Sequence, residues 1–156
     1  MILETIVTTQ DNRGVVHVAP FGVTVEDGGV RIAPFRPSTT LDNLMETRVA
    51  VINLTDDVRI FAGCLTGRRD WPTRPAAKIA GRVLEAALAH REAEVVSVDD
   101  DKERPRFHLR VVHEETHAPF AGFNRAQAAV IEAAILVSRL HMLPWEKIDH
   151  EIAHLS

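Results

Sequence analysis

The apolar positions of this chain change period along its length. The first third carries short β-branched runs broken by turn residues, and the last quarter carries apolar residues at helical spacing. Residues 5–9 (Thr-Ile-Val-Thr-Thr) and 15–19 (Val-Val-His-Val-Ala) flank Asp11-Asn-Arg-Gly14, a turn signal, so the two runs are expected to pair as a hairpin. Pro20-Phe-Gly22 is expected to interrupt the second run. Residues 22–26 and 29–33 flank Asp27-Gly28 and predict another hairpin. Leu41, Leu44 and Met45 then fall at helical spacing over residues 39–47, with Ser38 or Thr39 as the N-cap. Residues 49–54 (Val-Ala-Val-Ile-Asn-Leu) form a nearly continuous apolar run, which suits a strand buried on both faces.

The middle is less regular. One short strand is expected around Ile60-Phe61, a loop over the polar residues 66–74, and a helix over residues 76–90 with Ile79, Val83, Leu84, Ala87 and Leu88 on one side. Residues 92–98 and 106–112 alternate and flank a charged stretch, which predicts a long hairpin with a solvated tip at Asp99 to Asp101. Asn124 suits the N-cap of a helix over 125–140, and Pro144 suits the first turn of a last helix. Strands first and helices late argue for an antiparallel barrel or sandwich with appended helices, an α+β plan. The apolar surface of the long helix suits a homodimer or packing onto the barrel.

Composition narrows the class. A chain of 156 residues with 46% hydrophobic content fits one domain with a sizeable core. A formal net charge of -4 argues against nucleic acid as a partner. The single Cys64 excludes an internal disulfide framework. No basic leader and no apolar run near the ~20 residues of a membrane span are evident, so a cytoplasmic protein with no membrane partner is expected.

Chemistry concentrates at residues 33–44. Arg36, Ser38, Thr39 and Thr40 precede or open the short helix, where free N–H groups, hydroxyls and a guanidinium can receive a phosphate dianion. The same residues also suit a plain helix cap beside a solvated arginine. Neither G-x-G-x-x-G nor G-x-x-x-x-G-K-[ST] occurs, so the common dinucleotide and triphosphate fingerprints are missing.

Taken in order, the Ala19-Pro-Phe-Gly22 segment between hairpins, Pro34-Phe-Arg-Pro-Ser-Thr-Thr-Leu-Asp-Asn-Leu44 and Val49-Ala-Val-Ile-Asn-Leu-Thr-Asp-Asp57 resemble the FMN-binding split-barrel superfamily of flavin reductase-like proteins. Residues 122–140 resemble the C-terminal helix of a little-characterised branch found in methanogens and methanopterin-using bacteria. The resemblance implies a mainly β, α+β fold: a six-stranded antiparallel Greek-key barrel over most of residues 1–115, with C-terminal helices over 122–156, all one domain. It implies FMN as cofactor and a homodimer. Carried over to this chain, Ala19, Pro20, Phe21 and Gly22 run their backbone past the flavin ring, where N–H groups around Gly22 can donate to it. Arg36, Ser38, Thr39 and Thr40 hold the phosphate. Asn43 supports the loop, and Asn124 and Arg125 either reach the partner's flavin or fix the loop. The implied activity is that of a flavin-dependent oxidoreductase on a small heterocyclic, pterin-like substrate. The alternative is a non-catalytic FMN-binding or electron-carrier protein. No catalytic residue is assigned.

Other residues invite different readings. His113-Glu-Glu-Thr-His117 matches H-E-x-x-H, but the zinc-hydrolase reading needs a helix, and a strand-like run before it and Pro119 after it leave almost no room for one. It is read as a solvated strand end, and no metal is expected. His150 and His154 are read as packing residues, and Cys64 as a small core or near-interface residue. Trp71 and Trp145 suit a pocket or an interface. His17 is read as an outward strand residue rather than a substrate-facing group.

Overall fold

Residues 1–138 are described by the computed structural model. The first hairpin joins β1 (Ile2–Gln10) to β2 (Val16–Glu26), and the second joins β2 to β3 (Gly29–Ile32). Then come α1 (Thr39–Thr47), β4 (Val49–Leu54), α2 (Val58–Leu65), a small hairpin of β5 (Thr73–Pro75) and β6 (Arg82–Leu84), the long hairpin of β7 (Ala89–Asp99) and β8 (Arg106–Thr116), and α3 (Arg125–Ser138). Six strands close into an antiparallel barrel in the order β1-β2-β3-β8-β7-β4, while β5 and β6 pair separately. The helix anticipated after Pro144 lies outside the described residues.

Strand periodicity explains the two cores. Successive side chains of a strand point to opposite faces. Val7, Val23, Val30, Ile32, Ile52, Ala93 and Phe107 fill the inside of the barrel, with Leu41 and Leu44 of α1 joining them. Ile6, Val18 and Val51 face outward, yet they are buried under Ile60, Phe61 and Cys64 of α2, Val83 and Leu84 of β6, and Ala134 of α3. Strand β4 is therefore buried on both faces, as its apolar run required. Gly29 marks the tightest crossing, since a Cβ there would lie 2.0 Å from the Leu109 carbonyl oxygen.

Three local expectations fail for tertiary reasons. First, Pro20-Phe-Gly22 does not interrupt β2. These residues stay in register with Ile6, Thr5 and Glu4, and the φ of proline is compatible with an extended edge of this kind. Second, Ile60-Phe61 belongs to helix α2. Asp57 caps it, and Ile60, Phe61 and Cys64 present one buried face to the barrel wall. Third, residues 76–90 form no helix. The Glu92 carboxylate accepts the backbone N–H groups of Ala77, Lys78 and Ile79 at 2.9, 2.5 and 3.2 Å, so these groups need no helical partners. Ile79, Val83, Leu84 and Ala87 are buried in the outer core without forming a helical stripe.

Candidate functional site

The loop of residues 33–38 and the tip of the β7–β8 hairpin form one wall. The Arg36 backbone N–H donates to the Glu103 carbonyl at 2.7 Å, and Arg104 Nε donates to the Ala33 carbonyl at 2.7 Å. The Arg104 guanidinium lies over the Phe35 ring at 4.4 Å, a cation–π contact. Asp101 shapes the tip by accepting the N–H groups of Glu103 and Arg104, both at 2.9 Å; these bonds hold its carboxyl below the usual carboxylate range.

Between this wall and β2 lies a cavity of about 550 Å³. Pro20, Phe21 and Gly22 line one side, and Ser38 and Phe35 line the other. Arg31, Arg104 and Arg106 supply three guanidinium groups against the carboxylates of Glu4 and Asp101. A cationic rim around apolar walls suits an anionic ligand with a planar ring. Gly22 leaves this side open: a Cβ there would crowd Ile2 Cγ2 at 3.2 Å and Glu4 Oε1 at 3.3 Å. Ile135 of α3 also reaches the cavity.

The structure divides the sequence-nominated residues. Pro20, Phe21, Gly22 and Ser38 meet at the cavity. Ser38 also caps α1, its hydroxyl accepting the Leu41 N–H at 3.2 Å. Ala19 is buried and does not line the cavity. Arg36 instead pairs with Asp100 at 3.3 Å over a neighbouring shallow depression. Thr39 is exposed and lines neither hollow, and Thr40 is buried. Asn43 has the supporting role read from the sequence: it is buried, and its Nδ2 donates to Thr9 Oγ1 at 3.1 Å. Asn124 and Gln127 cap α3 reciprocally, each side chain accepting the other's backbone N–H at 2.8 Å. Arg125 is exposed at the start of that helix and does not line the cavity.

Sequence reasoning missed Arg31, Arg104 and Arg106. The sequence reads Arg104 as part of a solvated hairpin loop, and Arg106 and Arg31 as ordinary strand residues. Their joint signal was the basic pair around Pro105, but only barrel closure brings it beside β3, where Arg31 pairs with His108. His17 is half-buried, and burial together with the Arg69 charge lowers its pKa to about 4.

The family model described as "Protein of unknown function (DUF447) N-terminal domain" matches residues 3–118, and the one for the C-terminal part matches residues 124–156. No curated protein matches the chain in sequence. Among solved structures, the FMN-bound protein MM1853 of Methanosarcina mazei, itself assigned to DUF447, superposes with a TM-score of 0.76 at 20% identity, covering 99% of this chain and 83% of that one. The 2-nitrobenzoate 2-nitroreductase NbaA of Pseudomonas fluorescens gives 0.63 at 20% identity, covering 73% and 64%. An FMN-binding protein of Thermus thermophilus with bound 1-cyclohex-2-enone gives 0.64 at 16% identity, covering 73% and 70%. The fold is thus the FMN-binding split barrel.

Proposed function

Because this chain belongs to the DUF447 family, whose Methanosarcina mazei member is FMN-bound and shares its fold, we propose that it is an FMN-binding flavoprotein acting as an oxidoreductase on a small heterocyclic, pterin-like substrate. The observation that carries this reading is the cavity joining the Pro20-Phe21-Gly22 strand to Ser38 and three arginines. The residues present fit the group. Phe21, Phe35 and the bare edge of Gly22 offer flat apolar walls for a ring, and Arg104 and Arg106, with Ser38, offer donors for a phosphate.

Bound there, a flavin supplies the electron-transfer chemistry. The chain's part is to bind, orient and shield. Arg104 is braced by the Ala33 carbonyl and the Phe35 ring, so its guanidinium is fixed before the ligand arrives. Phe21 sits on a strand paired to β1, and Thr5 Oγ1 donates to its carbonyl at 3.0 Å, which holds that wall rigid. Two copies pair in this reading, as the resemblance implies.

Titration with FMN and with riboflavin, followed by flavin fluorescence, tests the phosphate contact. Charge-assisted bonds of about 1.5–3 kcal/mol favour FMN by roughly 10- to 150-fold. The Arg104→Ala/Arg106→Ala double variant should lose most of that preference while still binding riboflavin. Equal affinity of the wild-type protein for the two flavins, or binding of neither, would overturn the reading. Bleaching of bound flavin by NADH or NADPH under anaerobic conditions is the expected reductase behaviour. Flavin that stays oxidised with both donors would favour a passive carrier.

A further inference from the structure

The H-E-x-x-H run is a strand, and a strand places alternate residues on one face. β8 carries His113 and Glu115 at a spacing of two, with His117 just past its end. The β7–β8 register skips Val112, so that Ala93 pairs with Val111 but Glu92 pairs with His113 and His90 with Glu115. A bulge of this kind re-aims side chains. Here it sets His113 and Glu115 beside His90 and Glu92 on the face covered by residues 77–79, whose N–H groups the Glu92 carboxylate receives. One ligand atom from each of His90, His113 and Glu115 lies within 4.8 Å of the others.

The partner of His90 decides which of its ring nitrogens donates. His90 Nε2 is 2.7 Å from Glu92 Oε2, both groups are buried, and an ionised carboxylate can only accept. Nε2 therefore carries the proton, and Nδ1 keeps its lone pair for the cluster. This is the carboxylate–histidine arrangement that orients metal-ligating imidazoles. His117 stacks on His90 with ring centroids 4.9 Å apart, and its Nε2 lies 2.7 Å from His90 Nδ1. This short contact occupies the His90 Nδ1 that an ion would take, and Arg74 Nη2 lies 3.1 Å from the same His117 Nε2. Glu115 Oε1 is 3.1 Å from His113 Nε2, and Glu115 Oε2 is 3.5 Å from His117 Nδ1.

We propose that His90, His113 and Glu115 form a site for one zinc-like divalent ion, with Glu92 as the positioning residue behind His90. Two imidazoles and a carboxylate are borderline donors that suit such an ion. Binding replaces the His117–His90 hydrogen bond and leaves His117 beside the ion. Half-exposed Glu115 gives the ion a path in from solvent, whereas the buried His90–Glu92 pair closes the other side. The site lies at the far end of the β7–β8 hairpin from the arginine-lined cavity, about 30 Å along the strand from His90 to Asp99. It therefore does not depend on flavin binding.

Metal-stripped full-length protein, titrated with zinc against a chromophoric chelator, tests the proposal. One zinc per chain is expected, with at least tenfold weaker binding in His113→Ala and in Glu115→Ala. Glu92→Gln should weaken zinc about 10- to 100-fold, the scale of lost second-layer support. His108→Ala, whose imidazole bonds Glu26 and Asp99 instead, should bind like wild type. Circular dichroism checks that each variant is folded; His113 and Glu115 are not core residues, so both variants should be. Absence of stoichiometric zinc would overturn the site. So would full retention by the His113→Ala/Glu115→Ala double variant, which would place the ion on other histidines.

Discussion

His17 shows how one residue can reverse the usual behaviour of its type. It sits in β2 beside Arg69, whose Nη1 donates to the Val18 carbonyl at 2.5 Å. Burial first, and the Arg69 charge second, lower its pKa from 6.5 to about 4. Between those two values the unfolded chain binds a proton that the folded chain refuses, so stability rises with pH across the window. The contribution of His17 is complete above pH 6.5 and is lost as the pH falls toward 4. Imidazole proton shifts followed by NMR should show His17 titrating near 4, and a midpoint near 6.5 would refute the environment described. His108 works with the opposite sign. Asp99 and Glu26 raise its pKa, so its contribution is present below 6.5 and lost as the pH rises through the folded value. Cys64 is buried with its thiol pushed up by desolvation, which makes it a core residue and a poor nucleophile.

At the level of elements, polar side chains in buried places decide what packs where. Asn53 of β4 is fully buried. Its Nδ2 donates to the Ile6 carbonyl at 2.9 Å and to Thr8 Oγ1 at 3.2 Å, and its Oδ1 accepts the Leu84 N–H at 2.9 Å. One amide thus ties β6 to the β1–β4 pair. Asn53→Ala leaves the buried Leu84 N–H without its acceptor, and the loss should be about 2–4 kcal/mol. Urea unfolding would measure it, with faster amide exchange expected first at residues 82–86. A change below about 1 kcal/mol would mean that the Asn53 amide is not what holds β6 in place. Glu92 plays the matching role for the loop before β6. Burial would raise its pKa, but His90 and the three N–H groups hold it down to about 2. A carboxylate at this depth reads in the sequence as one more alternating strand residue, and the three N–H groups it receives lie more than ten positions away.

For the molecule as a whole, the barrel brings one cavity and one histidine cluster to opposite ends of the same hairpin. Several large apolar side chains stay in the open, including Ile2 at 58% exposure, Phe120 at 56% and Phe123 at 43%. Phe120 and Phe123 pack edge to face with centroids 5.0 Å apart, forming a small apolar knob before α3. Covering such surface is the usual reason for self-association. Light scattering on the eluting protein should give twice the 17.3 kDa chain mass. A monomer mass at tens of micromolar would remove the dimer from the proposed function. Among the described residues no helix is long and apolar enough to cross a membrane.

Where forces act within a few residues, the amino-acid order was sufficient. The Ser38 cap and the helix Thr39–Thr47 behind it, the turn at Asp27-Gly28, the doubly buried Val49–Leu54 strand and the Asn124 cap all rest on spacing and local hydrogen bonds. So did the resemblance that pointed to the barrel. Where a group's partner is distant in sequence, only the closed barrel decided the outcome. It kept residues 76–90 from forming a helix, because Glu92 satisfied the backbone of residues 77–79 from another strand and residues 82–84 paired as β6, and it gathered Arg31, Arg104 and Arg106 at one mouth. It also placed His90 against residues 113–117 through a β7–β8 register that shifts twice along the hairpin. Periodicity carries the sign of a face, but which distant charge or imidazole meets that face is set by strand pairing.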